Sequence, residues 1–459
     1  MADEQHPPQV LLPTFAPPPV GRLPRETMRD DNKLRPEDRP AHDWYRFVLS
    51  FPAHLVRHYL EHLRVDANQR VLDPFCGTGT TLVECKKRGI SSIGIEPNPM
   101  ACFASQVKVD WSVDPDGLLQ HAVHVANLTT ETLQAHGIDD TLAAGLFSPP
   151  AHVLSKLHTL SPQTSGLLLK NSISPLPLHK TLVLLHALNK QHNDRYAPHE
   201  RLALAKAIVF HISNLHFGPE VGVGLPKPDA PVVATWLDCV RSMADDLQQL
   251  HPRWQTEALV YRADSRHLAN LLQPNSVDAV ITSPPYPNEK DYTRTTRLES
   301  VLLGFIRNRH DLRSLKQDLI RSNTRGVYKT DSDDLAVANH RQIQRIAHDI
   351  EARRIQLGKT SGFERLYAKV TKLYFGGMAR HLSQLSTILR PGARLAYVVG
   401  DQASYLQVMI RTGQLLADIA LSLGYEVLGL DLFRTRLATA TRQQLREEVL
   451  LLRWPGDRL

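Results

Sequence analysis

Two short stretches carry residue types that can do chemistry together. The first, Ser283-Pro284-Pro285-Tyr286, follows an apolar run, Val277-Asp278-Ala279-Val280-Ile281, which reads as a buried strand. The prolines fix φ and remove two backbone donors, so the chain leaves the strand stiffly with free carbonyls. Ser283 offers a hydroxyl, and Tyr286 a flat ring with a polar tip. A rigid loop of this kind suits a planar ring that carries an amino group. By itself the tetrapeptide reads first as an ordinary strand-to-loop turn, since Pro-Pro marks turns generally.

The second stretch, Asp73-Pro74-Phe75-Cys76-Gly77-Thr78-Gly79-Thr80, changes that balance. Its glycines let the backbone turn tightly and approach a ligand closely. The pattern has neither the third glycine of a pyrophosphate-binding turn nor a P-loop lysine. It therefore suits an adenosine ligand without phosphates, and S-adenosylmethionine is the evident candidate. Around it lies a strand at 70–72, a helix from about 81 to 88, and a second strand at 92–95 that ends at Glu96. This is the plan of a dinucleotide-type βαβ unit, in which an acid about twenty residues on accepts from the ribose hydroxyls. Asp264, ending a strand at 258–261, is expected to accept from the adenine amino group.

The rest of the chain has to hold these stretches. It has 459 residues, 42% of them hydrophobic, enough for a large core. The net charge of +7 is compatible with a polyanionic partner. No apolar run is long enough to cross a bilayer, and the N-terminus lacks a signal pattern, so a cytoplasmic protein is expected. The four cysteines and scattered histidines suggest neither a disulfide framework nor a metal site. Residues 1–40, rich in proline and charge, read as a mobile arm. The divisions that follow are a cofactor-binding half of the core at 41–111, a helical insertion at 112–255, a catalytic half at 256–304, a basic insertion at 305–375, and a C-terminal part of the core at 376–459. Further strands at 394–399, 425–430 and 448–452, the last two paired as an antiparallel edge hairpin, complete a Rossmann-like, seven-stranded, mostly parallel α/β sheet.

Residues 73–80 and 283–286 resemble the cofactor and catalytic motifs of the amino-methyltransferases of DNA. Phe51-Pro52-Ala53-His54-Leu55-Val56 resembles the segment that precedes the cofactor motif in that family, and 288–299 is similar to bacterial members that act as site-specific DNA methylases. The match covers 42–106, 258–300 and 392–453. It implies that Phe51, Asp73, Pro74, Phe75, Gly77, Gly79, Thr80, Glu96 and Asp264 bind S-adenosylmethionine. It further implies that Ser283, Pro284, Pro285 and Tyr286 are catalytic. The amino group of a flipped-out base would donate to Ser283 Oγ and the Pro284 carbonyl, and Tyr286 would stack on the ring.

Ser rather than Asp at the first catalytic position favours cytosine N4 over adenine N6 in this family. A transfer-RNA guanine-N2 methyltransferase and a non-catalytic DNA-binding protein on the same fold are the rival readings. Carbon-5 methylation is excluded, because no cysteine follows a proline. A second Ser-Pro-Pro, at 148–150, lacks the aromatic residue and reads as a turn. Double-stranded DNA is the expected partner, with a cognate restriction endonuclease as a candidate. Arg294 and Arg297, close behind Tyr286, and Arg321 and Arg325 in the basic insertion are the expected DNA contacts, with Arg434, Arg436 and Arg442 assigned to an edge-hairpin loop. The motif order places target recognition in 112–255, in competition with the basic insertion.

Overall fold

A computed structural model describes residues 20–22, 34–47, 51–140, 151–217, 220–287, 290–437 and 444–456. The Ser-Pro-Pro at 148–150 lies outside them. In chain order the strands are β1 (Val20–Arg22), β2 (Arg70–Asp73), β3 (Ser91–Ile95), β4 (Leu215–Phe217), β5 (Val221–Val223), β6 (Ala258–Tyr261), β7 (Val277–Thr282), β8 (Leu389–Gly400), β9 (Glu426–Leu437) and β10 (Gln444–Arg453). The main sheet runs β1-β9-β10-β8-β7-β2-β3-β6. Pairing is parallel along β8-β7-β2-β3-β6, and β10 runs antiparallel to both β8 and β9. The expected mostly parallel sheet of seven strands with an antiparallel edge is present. The difference is β1: residues read from sequence as part of a mobile arm instead pair in parallel with β9, Val20 opposite Leu430. Three residues are too few for a periodicity signal to declare a strand.

β7 is almost continuously apolar because both faces of a central parallel strand are covered; five of its six residues are buried. One covering layer is the helix Ala53–His62, whose Leu55, Val56 and Tyr59 pack with Val71, Ala279, Ile281 and Val398. The other is the helix Tyr367–Ser386, whose Val370, Tyr374 and Leu382 share a core with Leu72, Val280 and Leu395. The first insertion does not form a separate lobe. Its helices Pro115–Ala135, Pro175–Lys190, Ala197–Ala207 and Val232–Leu250 share one core cluster with Leu82, Val83, Met100 and Val107 of the cofactor half.

β2 is where the chain order reverses. From it the sheet grows through β3 to β6 on one side and through β7 to β8 on the other. In open α/β sheets a crevice opens at that point, beyond the carboxyl ends of the strands. The two loops with chemical potential leave β2 and β7, which are neighbours in register, Val71 opposite Ala279 and Leu72 opposite Val280.

Candidate active site

The first loop is held by its own acids. Asp73, fully buried, accepts from the Phe75 N–H at 3.1 Å and from Thr282 Oγ1 at 2.6 Å. Burial pushes its carboxyl up to about 6 despite those hydrogen bonds. Because Thr282 ends β7, this contact ties the two loops at their roots. Thr81 Oγ1 adds a second tie by donating to the Ile281 carbonyl at 3.1 Å. Gly79 has φ +83°, and a Cβ there would lie 2.4 Å from Ser105 Oγ. Only glycine lets the turn enter the helix Thr80–Lys87 while the helix Pro99–Lys108 packs so close.

Glu96 follows β3. Its Oε2 accepts from the Gly77 N–H at 3.0 Å and its Oε1 from the Asn98 N–H at 2.8 Å. Each oxygen so engaged keeps a lone pair for another donor. Burial raises this carboxyl to about 7, with Asp73 contributing in the same direction. Ser283 donates its hydroxyl proton to the Val398 carbonyl at 3.2 Å. With the proton held there, the oxygen is left as an acceptor. Tyr286 lies against the end of β8: a Cβ on Gly400 would sit 3.0 Å from Tyr286 Cε2. Gly400 thus makes room for the ring.

One cavity receives both loops. Phe51, Phe75, Gly77, Thr80 and Glu96 line it from the β2–β3 side, and Ser283, Pro284, Pro285 and Tyr286 from the β7 side. Of the expected cofactor residues, Asp73, Pro74 and Gly79 are buried and shape the turn from behind without lining the cavity. Asp264 is a correction. Its carboxylate takes the Arg266 guanidinium on both oxygens, with Nη2 at 2.6 Å, and does not line the cavity; the adjacent Ser265 does. Arg266 also pairs with Asp333 at 2.5 Å, a partner far off in sequence that no local pattern announces.

The expected DNA contacts divide. Arg321 is a correction, because it is 5% exposed and pairs with Asp331 through Nη2 at 2.8 Å and Nε at 2.9 Å. It holds the basic insertion together and is not available to phosphate. Arg321→Ala is accordingly expected to cost about 3–5 kcal/mol of folding stability, the scale of breaking a buried ion pair, as read by denaturant unfolding. Arg297 donates to the Thr293 carbonyl at 3.1 Å, to Thr293 Oγ1 at 3.0 Å and to the Leu167 carbonyl at 3.3 Å, clamping the first insertion to the catalytic half. Arg294 is half-buried, and Arg325 is exposed with its guanidinium 5.9 Å from the Phe363 ring. Arg434 is also relocated, from a loop to β9. There it stands opposite Glu447 of β10, is bonded to it at 2.5 Å, and both line the cavity. Arg436 also lies in β9, and Arg442 lies outside the described residues.

Further walls were not legible in the sequence: Phe47, Asn98, Lys290, Tyr292, Asp318 and Phe433. Asn98 alone had a local signal, the Glu-Pro-Asn-Pro turn. Its Oδ1 caps the helix Pro99–Lys108, and its amide donates to Thr296 Oγ1 at 3.1 Å.

A family model described as DNA methylase matches residues 23–106, the segment that contains the first loop. The chain is 22% identical over 435 residues to Type II methyltransferase M.BsoBI of Geobacillus stearothermophilus, covering 89% of this chain and 83% of that one. It is 21% identical to Type II methyltransferase M.AvaI of Anabaena variabilis, over 91% and 87% of the two chains. A solved rRNA methyltransferase, aviRa from Streptomyces viridochromogenes, aligns at a TM-score of 0.29 and 10% identity over 95% of this chain and 94% of that one, too slight a likeness to inform the site. Extended similarity to Type II methyltransferases, together with the DNA methylase match over the first loop, makes this chain similar to DNA methyltransferases.

Proposed function

We propose that the protein methylates an exocyclic amino group in double-stranded DNA, with cytosine N4 as the target. The observation that carries this is the convergence of the turn after β2 and Ser283-Pro284-Pro285-Tyr286 after β7 on one cavity. DNA methyltransferases of this family use S-adenosylmethionine, and the residues present fit it. Glu96 retains an acceptor position on each oxygen for the ribose hydroxyls, and Phe47, Phe51 and Phe75 give apolar wall for the adenine and the methionine chain. When bound, S-adenosylmethionine supplies a methyl group on a positively charged sulfur.

The chain's own residues do the rest. An exocyclic amino group is a weak nucleophile because its lone pair is delocalised into the ring. Ser283 Oγ and the Pro284 carbonyl accept from its two N–H groups and draw the nitrogen out of the ring plane. No side chain has to deprotonate it beforehand, so positioning supplies most of the rate. Tyr286 stacks on the extruded base and recovers roughly 1–3 kcal/mol of the unstacking cost. Cytosine is favoured over adenine by Ser at position 283. The first insertion is the region for target recognition, and Arg294 and Arg325 are the remaining basic candidates for backbone contact. Among the described residues no helix is long and apolar enough to cross a membrane, in keeping with an enzyme that works on DNA in the cytoplasm, with a cognate restriction endonuclease as its counterpart.

Expression in a host free of DNA methylation, followed by sequencing that detects both N4-methylcytosine and N6-methyladenine, tests this reading. N4-methylcytosine at one recurring motif is the expected result. N6-methyladenine alone would overturn the choice of base. No mark in DNA, with transfer to transfer RNA, would overturn the substrate.

A further inference from the structure

Lys108 is 1% exposed at the end of the helix Pro99–Lys108. Its Nζ donates to the Thr78 carbonyl at 2.7 Å and to the Tyr45 carbonyl at 3.2 Å, and among the described residues it has no ion pair. A lysine buried without a carboxylate is costly, so its place calls for a return elsewhere. Thr78 belongs to the turn after β2 and lines the cavity; Tyr45 stands two residues before Phe47, which lines it as well. Gly77 faces Phe47, with a built Cβ 3.6 Å from Phe47 Cε2. One amine therefore holds two separate segments of wall against each other.

The connection continues inward. The Tyr45 hydroxyl donates to Glu299, on the helix Arg297–Leu302 behind the catalytic loop. Asn98 reaches the same region through Thr296. Tyr45 and Glu299 are both buried, and burial raises the Glu299 carboxyl to about 7. A protonated carboxyl and a phenol can share such a bond without placing a charge in the core.

We propose that Lys108 is a positioning residue for the cofactor, pinning the Thr78 carbonyl and the 45–47 segment, with Tyr45 and Glu299 passing that constraint to the catalytic half. The proposal rests on the methyltransferase reading above. Burial, with Lys87 and Arg46 adding like charge and Asp43 opposing them, lowers the Lys108 amine to about 7. A neutral amine still has two N–H groups for the two carbonyls, so the clamp does not depend on the charge.

The test is calorimetric titration of the full-length chain with S-adenosylmethionine, beside gel-shift titration with fragmented DNA from a methylation-free host. Lys108→Met keeps the length of the side chain and removes its donors. Affinity for S-adenosylmethionine is expected to fall about tenfold or more, the scale of losing such hydrogen bonds, with DNA affinity unchanged. Lys108→Gln, which retains two N–H groups, should recover part of the loss, and it is the variant to read if Lys108→Met does not fold. Unchanged cofactor affinity in the folded variant would overturn the proposal, as would equal losses for cofactor and DNA. A wild-type chain that binds no S-adenosylmethionine would overturn the cofactor reading itself, a distinct failure.

Discussion

Ser283→Ala is expected to lower kcat by on the order of 10²-fold while S-adenosylmethionine affinity stays within about twofold, as for loss of one preorganised hydrogen-bonding group at a reacting atom. The reason is the placement of its proton. Because the hydroxyl donates to the Val398 carbonyl, its oxygen faces the cavity as an acceptor before any substrate arrives. Alanine keeps the turn, which the prolines fix independently, and removes only that acceptor. Tyr286→Ala should also lower transfer strongly, but by another route: the ring that rests on Gly400 is lost, and with it the surface proposed for the extruded base. A KM rise for DNA therefore accompanies Tyr286→Ala and not Ser283→Ala. Single-turnover transfer on duplex DNA separates the two. Full activity in Tyr286→Ala would remove the stacking role.

The parts of this site visible in the sequence are those set by short-range rules. A strand that ends in Gly-rich or Pro-rich loop, with an acid closing the next strand, is a local pattern, and it singles out Asp73, Glu96 and Ser283 as candidates. That the two loops meet could also be anticipated, since loops at the carboxyl ends of neighbouring parallel strands share a crevice. What stayed hidden depends on contacts between distant residues. Asp264 is a plausible ligand acid until Arg266 and Asp333 come together around it. Arg321 looks like one more charge in a basic run, although its pairing with Asp331 buries it. Glu447 and Arg434 reach the cavity only through the register of β9 against β10. Lys108, the last residue of an apolar helix, looks like a cation on a helix C-terminus; in the fold it is buried with its amine on the carbonyls of Thr78 and Tyr45, residues far from it in sequence.

Glu96 gives the second large effect, and it carries a pH signature. Burial holds its carboxyl at about 7 in the free protein, well above an ordinary glutamate. Between its unfolded value and about 7, the folded state binds the extra proton, so this group's contribution to stability falls as pH rises through that window. Ligand binding has the opposite sense. In the proposed cofactor site ribose hydroxyls would donate to the ionised form, so affinity for S-adenosylmethionine should rise with pH and level off above about 8. A single group with a pKa of about 7 predicts about tenfold weaker binding at about pH 6 than at about pH 8. Glu96→Gln keeps the shape of the side chain but has one acceptor oxygen where the carboxylate has two. It should weaken binding by about 10- to 100-fold, as for loss of charge-assisted hydrogen bonds, and flatten the pH profile. Calorimetry across that range, in buffers of different ionisation enthalpy, reads both the affinity and the proton released at low pH. A profile in Glu96→Gln as steep as in the wild type would assign the titration to another group. Asp73 is the nearest alternative, since its carboxyl is raised to about 6 and lies behind the same turn. It accepts from Thr282 and from the Phe75 N–H, both protein donors, so its substitution should shift folding stability more than cofactor affinity.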